Sequence, residues 1–241
     1  MNFAARRFII TGAGSGIGRA VAVQLAAHGA DVSLLGRDRS KLEATAAMLQ
    51  PGQHDLWPVD LHDNAQLEAF ASAYIGARKT LHGLVHSAGE FINARIAEGQ
   101  RADAARLMAI NALAPMQLCA SLLPLLRASK GDVVFINSSA VRSAAAGIAP
   151  YAMSKAALRS LADTLRSEEN AAGVRVLSVF PGRTATPMVD AVAKADGSRV
   201  RSERLLQPAD VAEIVLAALS LPATAEVTEL HVRPRLPPGD A

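Results

Sequence analysis

Cysteine occurs once in the 241 residues, at position 119, so no internal disulfide can form and a reducing compartment is expected. Aromatic residues are scarce, at 4%. The 25 lysines and arginines exceed the 22 acidic residues by only three and are scattered rather than striped. Nucleic-acid binding calls for a basic face and aromatics for stacking, so no nucleic-acid partner is expected. No uninterrupted apolar run has the length a bilayer demands, which speaks against a membrane partner. Met1 to Arg7 carries two arginines, yet the run Phe8–Thr11 is too short for the apolar core of a secretory leader. A cytoplasmic location is the resulting expectation. Internal repeats and low-complexity linkers are absent as well.

What is present is an ordinary globular balance, 50% hydrophobic and 20% charged. Folding at this size buries roughly 70% of the chain's surface, so one hydrophobic core suffices without disulfides or structural metal. A single domain over 1–241 is expected. Short, continuously apolar runs recur at Phe8–Thr11, Val32–Leu35, Gly83–His86, Val133–Asn137 and Val174–Phe180. Strands covered on both faces read this way. Weaker strand candidates are Asp55–Val59 and Glu226–Val232. Between the runs, Ile17, Val21 and Leu25 repeat at helical spacing, with Gly29 as the stop. Leu158, Leu161 and Leu165 form a second stripe, closed by Gly173. A last helix starts at Pro208 and Asp210, runs through Val211, Val215 and Leu219, and ends by Pro222. The alternation predicts a doubly wound α/β domain, a parallel sheet of about seven strands with helices on both faces and right-handed crossovers. Pro234 to Ala241 reads as a proline-rich tail.

The first strand runs into Thr11-Gly12-Ala13-Gly14-Ser15-Gly16-Ile17-Gly18, which opens the first helix. Glycines there allow a tight turn and let a pyrophosphate approach free N–H groups at the helix N-terminus. No Gly-Lys-Ser/Thr follows, so this is not a mononucleotide P-loop. The pattern is TGxxxGxG rather than GxGxxG, and it predicts a dinucleotide site. The second strand ends at Gly36-Arg37-Asp38, where an acidic residue would hold the ribose hydroxyls of NAD and an arginine the 2′-phosphate of NADP. Arg37 favours NADP(H), and Asp38 on the ribose is the alternative.

Tyr151 and Lys155 stand four apart at the start of a helical stretch and share one face. An ammonium beside a phenol favours the phenolate and lowers a pKa otherwise near 10, giving an acid/base usable near neutral pH. Ser138 ends the strand Val133–Asn137, at the sheet edge where doubly wound folds keep their ligands. With these residues the chain closely resembles the short-chain dehydrogenase/reductase family, over nearly its whole length. Asp60 in Val59-Asp60-Leu61, Asn111 in Ile110-Asn111-Ala112, Tyr151-Ala-Met-Ser-Lys155, Pro181-Gly182 and Thr186 all match family motifs.

The family serine lies thirteen residues before the tyrosine and seven after the glycine that opens its strand, here Gly131; both anchors select Ser138, with Ser139 as fallback. The resemblance implies a catalytic set of Ser138, Tyr151, Lys155 and Asn111. Tyr151 would pass a proton, Ser138 would position the carbonyl oxygen, Lys155 would lower the tyrosine pKa and hold the nicotinamide ribose, and Asn111 would anchor a water leading to Lys155. It implies cofactor contacts at Gly12, Ser15, Gly16, Ile17, Gly18, Arg37, Asp60, Leu61, Ala88, Gly89, Tyr151, Lys155, Pro181, Gly182, Thr184 and Thr186. One departure stands out: the family's Asn-Asn-Ala-Gly is His86-Ser87-Ala88-Gly89 here.

The expected activity is NADP(H)-dependent hydride transfer to or from a small ketone, aldehyde or 3-oxo/3-hydroxy acid, the acids being suggested by similarity at 181–188 and 227–234. A dinucleotide-binding sensor or scaffold without turnover is the alternative. Family resemblance also implies a homodimer or homotetramer, built on the helices carrying Asn111 and Tyr151. Residues 187–207 would form a lid, in which Arg199, Arg201 and Arg204 either attract an acidic substrate or are solvated; Arg142 poses the same choice. No metal site is expected, because His82 and His86 have no third ligand at suitable spacing. No G-x-S-x-G elbow surrounds Ser138, which excludes the usual serine hydrolase. Cys119 and Trp57 read as packing residues.

Overall fold

The computed structural model describes residues 1–142, 145–197 and 201–236. Seven parallel strands form one sheet: β1 Arg7–Thr11, β2 Asp31–Gly36, β3 Asp55–Pro58, β4 Gly83–His86, β5 Asp132–Ile136, β6 Arg175–Pro181 and β7 Glu229–Val232. Their order is β3-β2-β1-β4-β5-β6-β7. The sheet reverses direction of growth between β1 and β4, where Thr11 sits beside His86. This is the switch point at which such folds open a crevice for ligands.

The helices are α1 Gly16–Ala27, α2 Arg39–Ala46, α3 Asn64–Ala77, α4 Arg101–Met108, α5 Ala114–Ser129, α6 Ala149–Glu169, α7 Pro187–Asp196 and α8 Pro208–Leu219. Local chemistry starts several of them. Asp38 caps α2 by accepting from the Lys41 N–H. Asp63 caps α3 through the N–H groups of Ala65 and Gln66. Gln207 and Asp210 form a reciprocal capping box on α8, with Pro208 in its first turn. Gly29 takes a positive φ of 89° just beyond α1, the stop expected from the sequence.

Two cores result, one on each face of the sheet. Ile9 of β1 points to the side covered by α3, α5 and α6. Its neighbours Phe8 and Ile10 point to the side covered by α1, α2 and α8. Buried strands with no polar face need this double cover. The sequence places the start of β7 at Glu226, but regular pairing begins only at Glu229. Glu226 instead uses its side chain, accepting from Val176 N at 2.8 Å and from Asn170 Nδ2 at 2.9 Å.

The helix running from Arg101 to Ser129, through a π-turn at Ala109–Leu113, goes beyond what the apolar runs suggested. It is 29 residues long and, by length and composition alone, apolar enough to cross a bilayer. Leu107, Leu118, Leu122 and Leu126 on it are buried in the protein, so core packing accounts for its composition. Of the expected lid, Pro187–Asp196 is helical and Ser202–Arg204 is a 3₁₀ turn. Arg199 and the end of the proline-rich tail, 237–241, lie outside the described residues.

Candidate active site

The glycine loop fits so closely against its neighbours that side chains are excluded from it. Gly12 has φ of 67°, and a Cβ there would lie 2.8 Å from the Ala88 main chain. A Cβ on Gly18 would lie 2.5 Å from the Gly12 carbonyl oxygen, and one on Gly16 would meet Thr186 Cγ2 at 3.1 Å. Thr11 stitches this loop to the one after β4, its Oγ1 accepting from Ser87 N and Ala88 N, each at 3.1 Å. The N-cap residue Ser15 makes no side-chain capping bond. The first N–H groups of α1 therefore remain for a ligand, and the bare backbone lets a phosphate reach them. The cradle fits a dinucleotide pyrophosphate.

At the end of β2 Arg37 is exposed and makes no ion pair among the described residues. Asp38, its rival for the ribose, is already engaged: Ser40 Oγ donates to it at 2.7 Å and Lys41 N at 3.2 Å. These bonds hold its carboxyl below the usual carboxylate pKa. Asp60 accepts from His62 N at 3.0 Å. The Leu61 side chain is buried in the core beside α3.

Ser138 leaves the carboxyl end of β5 and starts a short turn by accepting from Ala140 N at 3.1 Å. Tyr151 lies in the first turn of α6, and its phenol shares a hydrogen bond with Ser138. One turn later, Lys155 is buried with Nζ donating to the Ile136 carbonyl at 2.9 Å. It stands 5.9 Å from the Tyr151 ring centre. The sequence leads one to expect a tyrosine pKa lowered by this lysine. The structure differs: burial raises the Tyr151 pKa and the Ser138 hydrogen bond opposes that rise. Burial also lowers Lys155 to about 8. The physical reason is that Nζ is committed to Ile136 rather than to the phenol oxygen.

Asn111 sits in the π-turn with both amide N–H groups and its amide oxygen engaged. Its Oδ1 accepts from Glu90 N at 3.0 Å, and its Nδ2 donates to Glu90 O at 3.0 Å and to Ser154 Oγ at 2.9 Å. The side chain thus braces the turn after Gly89. Glu90 in turn receives both Arg106 Nε at 2.6 Å and His62 Nε2 at 3.2 Å. His86, where the family carries an amide, is buried, stacks on Phe135 with centroids 4.9 Å apart, and places Nε2 3.3 Å from Cys119 Sγ. Desolvation takes its pKa down to about 3, so it is neutral. Among the described residues no group of three His, Cys, Asp or Glu is placed to hold a metal.

A cavity of about 680 Å³ joins these parts. Gly12, Ser15, Gly16, Ile17, Ala88, Gly89, Ser138, Tyr151, Lys155, Pro181, Gly182, Thr184 and Thr186 all line it. Gly18, Arg37, Asp60, Leu61 and Asn111 do not, Gly18 because it is packed beneath Gly12 and Asn111 because it stands behind Gly89. Ser139 and Arg183 also line the cavity; Arg142, Arg201 and Arg204 do not. Phe91, Ile148, Met188, Val189 and Val192 add apolar side chains to its wall, and Ser87, Asn93 and Asn137 add polar ones. No motif marks the five apolar ones; the apolar first half of the segment after Pro187 hints only at Met188, Val189 and Val192.

Residues 6–197 match the short chain dehydrogenase family, and the chain belongs to it. An uncharacterized oxidoreductase of Staphylococcus aureus (strain USA300) is 30% identical over 230 residues, which cover 94% of this chain and 96% of that protein. Among solved structures, levodione reductase superposes with a TM-score of 0.87 at 26% identity, covering 95% of this chain and 96% of that one. A metagenomic short-chain oxidoreductase in complex with NADP gives a TM-score of 0.81 at 28% identity, covering 98% and 99%.

Proposed function

We propose that this oxidoreductase catalyses carbonyl + NADPH + H⁺ ⇌ alcohol + NADP⁺ on a small molecule, as one domain spanning the chain with 187–207 as its lid. The observation that carries this reading is the convergence of Ser138, Tyr151 and Lys155 with the bare glycine loop in a single cavity. The pyrophosphate would lie on Gly12, Ser15, Gly16 and Ile17 against the α1 N-terminus, with Gly18 keeping that turn tight. Asp60 and the Leu61 main chain would meet the adenine end, and Ala88-Gly89 the adenosine ribose side. Pro181, Gly182, Thr184 and Thr186 would hold the nicotinamide end. When bound, NADPH supplies the hydride.

The chain's own work is proton delivery. Tyr151, kept protonated by its raised pKa, is set to give its phenolic proton to a carbonyl oxygen, while the Ser138 hydroxyl donates to the same oxygen or to the phenolate left behind. Lys155 would then hold the nicotinamide ribose. Both amide N–H groups of Asn111 are spent on Glu90 and Ser154, so Asn111 would hold a water serving Lys155 only through an acceptor oxygen. Exposed Leu113, Met116 and Met153, on the helices carrying Asn111 and Tyr151, support a homo-oligomer formed through that face.

NADP(H) over NAD(H) is supported by the unpaired Arg37, the engaged Asp38 and the NADP-bound relative. Arg37→Ala tests it. One charge-assisted contact contributes about 1.5–3 kcal/mol, so KM for NADPH should rise about ten- to hundredfold with little change for NADH. Equal effects on both cofactors would remove the assignment.

The pH dependence follows from Lys155. A lysine pKa lowered to about 8 means that its charge is present below pH 8 and lost above it. The value of kcat/KM for NADPH, which reports ionisations of the free enzyme, should therefore fall on the alkaline side with a midpoint near 8. In Lys155→Arg that limb should move beyond the measurable range. A midpoint unchanged by this substitution would assign it to another group.

A further inference from the structure

Beside Tyr151 the cavity carries a run of apolar side chains, with Asn93 among them, and its two described cations are one buried lysine and one exposed arginine. Phe91 packs on the Tyr151 ring with centroids 4.9 Å apart. Ile148 is held opposite by a bridge to Ala94, whose N–H donates to Gly147 O at 2.8 Å. Met188 and Val192 stand four apart on α7, so they share one face of that helix, and Met188 is 36% exposed although it lines the cavity.

Among the described lining residues only Lys155 and Arg183 carry charge. Lys155 is buried and already donates to the Ile136 carbonyl. Arg183 is exposed. A neighbouring depression of about 460 Å³ shares Gly89, Phe91 and Met188 with the cavity and adds Ile92. Its one cation, Arg106, is held by both oxygens of Glu90, so an acid there would have to displace an internal carboxylate. Burying a carboxylate against such a wall costs far more than burying methylenes, which the same wall favours.

We infer that the substrate is a neutral carbonyl compound, or the matching secondary alcohol, whose apolar substituent of several carbons lies between Phe91, Ile148 and the Met188/Val192 face of α7. This rests on the carbonyl-oxidoreductase reading and narrows it away from 3-oxo and 3-hydroxy acids.

The test is calorimetric titration of 2-butanol, 2-pentanol, 2-hexanol, 2-octanol and 3-hydroxybutanoate into the protein, with and without NADP⁺, followed by absorbance of any NADPH formed. Affinity should rise up to about fourfold per added methylene. 3-Hydroxybutanoate, similar in size to 2-pentanol, should bind at least about tenfold more weakly. Val192→Asp and Phe91→Ala, each checked for fold by circular dichroism, should flatten the chain-length slope. A flat series in the unmodified protein overturns the inference. So does tighter binding of the acid that is lost in Arg183→Gln. Alcohols that bind with the expected slope but yield no NADPH overturn the oxidoreductase reading instead.

Discussion

Replacing Tyr151 by phenylalanine is expected to lower kcat by about 10²–10⁴-fold, the usual contribution of a positioned general acid. The ring is the part of Tyr151 that packs on Phe91, so the substitution keeps the wall and removes only the hydroxyl. Among the described residues, the nearest groups are poorly suited to take over. The Ser138 hydroxyl is weakly acidic and its oxygen already accepts from Ala140 N. Lys155 points its ammonium at the Ile136 carbonyl. NADPH affinity should change by no more than about tenfold, the most that one neutral hydrogen bond accounts for. Single-turnover loss of NADPH absorbance, set beside NADPH binding by fluorescence, separates the two effects. A variant that binds NADPH and keeps near wild-type turnover would remove Tyr151 from the chemistry and leave Ser138 or a water as the donor. Equal losses in binding and turnover would instead mark Tyr151 as a cofactor residue.

How far the sequence could be read differs from one part of the molecule to the next, and the differences have physical causes. The strand cores and the glycine turn are legible because each rests on a local rule: continuous apolar runs for doubly covered strands, and glycines where a Cβ would strike backbone. The convergence of Ser138 with Tyr151 is legible through spacing, since one leaves a strand end and the other opens the next helix. What Lys155 does with its charge is not legible, because the carbonyl beneath it, Ile136, is chosen by how α6 lies across the end of β5. The π-turn that places Asn111 has no composition of its own. Phe91 and Met188 come to the same cavity only because the irregular stretch after β4 and the start of α7 close on it. The His86-Ser87 departure resolves into two separate matters. His86 belongs to the packing of the sheet against Cys119 and Phe135, whereas Ser87 lines the cavity.

Asp132→Ala should be strongly damaging although it lies away from the cavity, and it would act on stability alone. Asp132 opens β5, is 3% exposed, and accepts from Arg6 Nη2 at 2.8 Å and from Arg175 Nε at 2.7 Å. These partners lie 126 and 43 residues away in sequence, so no local pattern announces the cluster. Removing the carboxylate leaves two guanidinium groups without their shared counter-charge. Breaking a buried pair in this way costs about 3–5 kcal/mol. The lower end applies, because the arginine side chains keep 26% and 19% of their exposure and can turn partly to water. Arg175 also retains carbonyl partners at Leu219, Leu221, Pro222 and Ala225, which tie the segment after α8 to β6. Arg6 retains Phe3 and Phe8, each 5.2 Å from its guanidinium. A loss of about 3 kcal/mol corresponds to a fall in melting temperature of about 6–12 °C at this chain length. Asp132→Asn, which keeps the shape and one acceptor oxygen, should fall between the two. Turnover per folded molecule should hold steady in both variants, because Asp132 begins the strand whose other end carries Ser138, about 15–20 Å away at strand rise. A thermal melt beside kcat at a temperature where both proteins are folded makes the comparison. An unchanged melting temperature would mean that water replaces the carboxylate at no cost. A fall in kcat without a fall in stability would mean that β5 transmits a shift to Ser138, which the rigid pairing of β5 between β4 and β6 argues against.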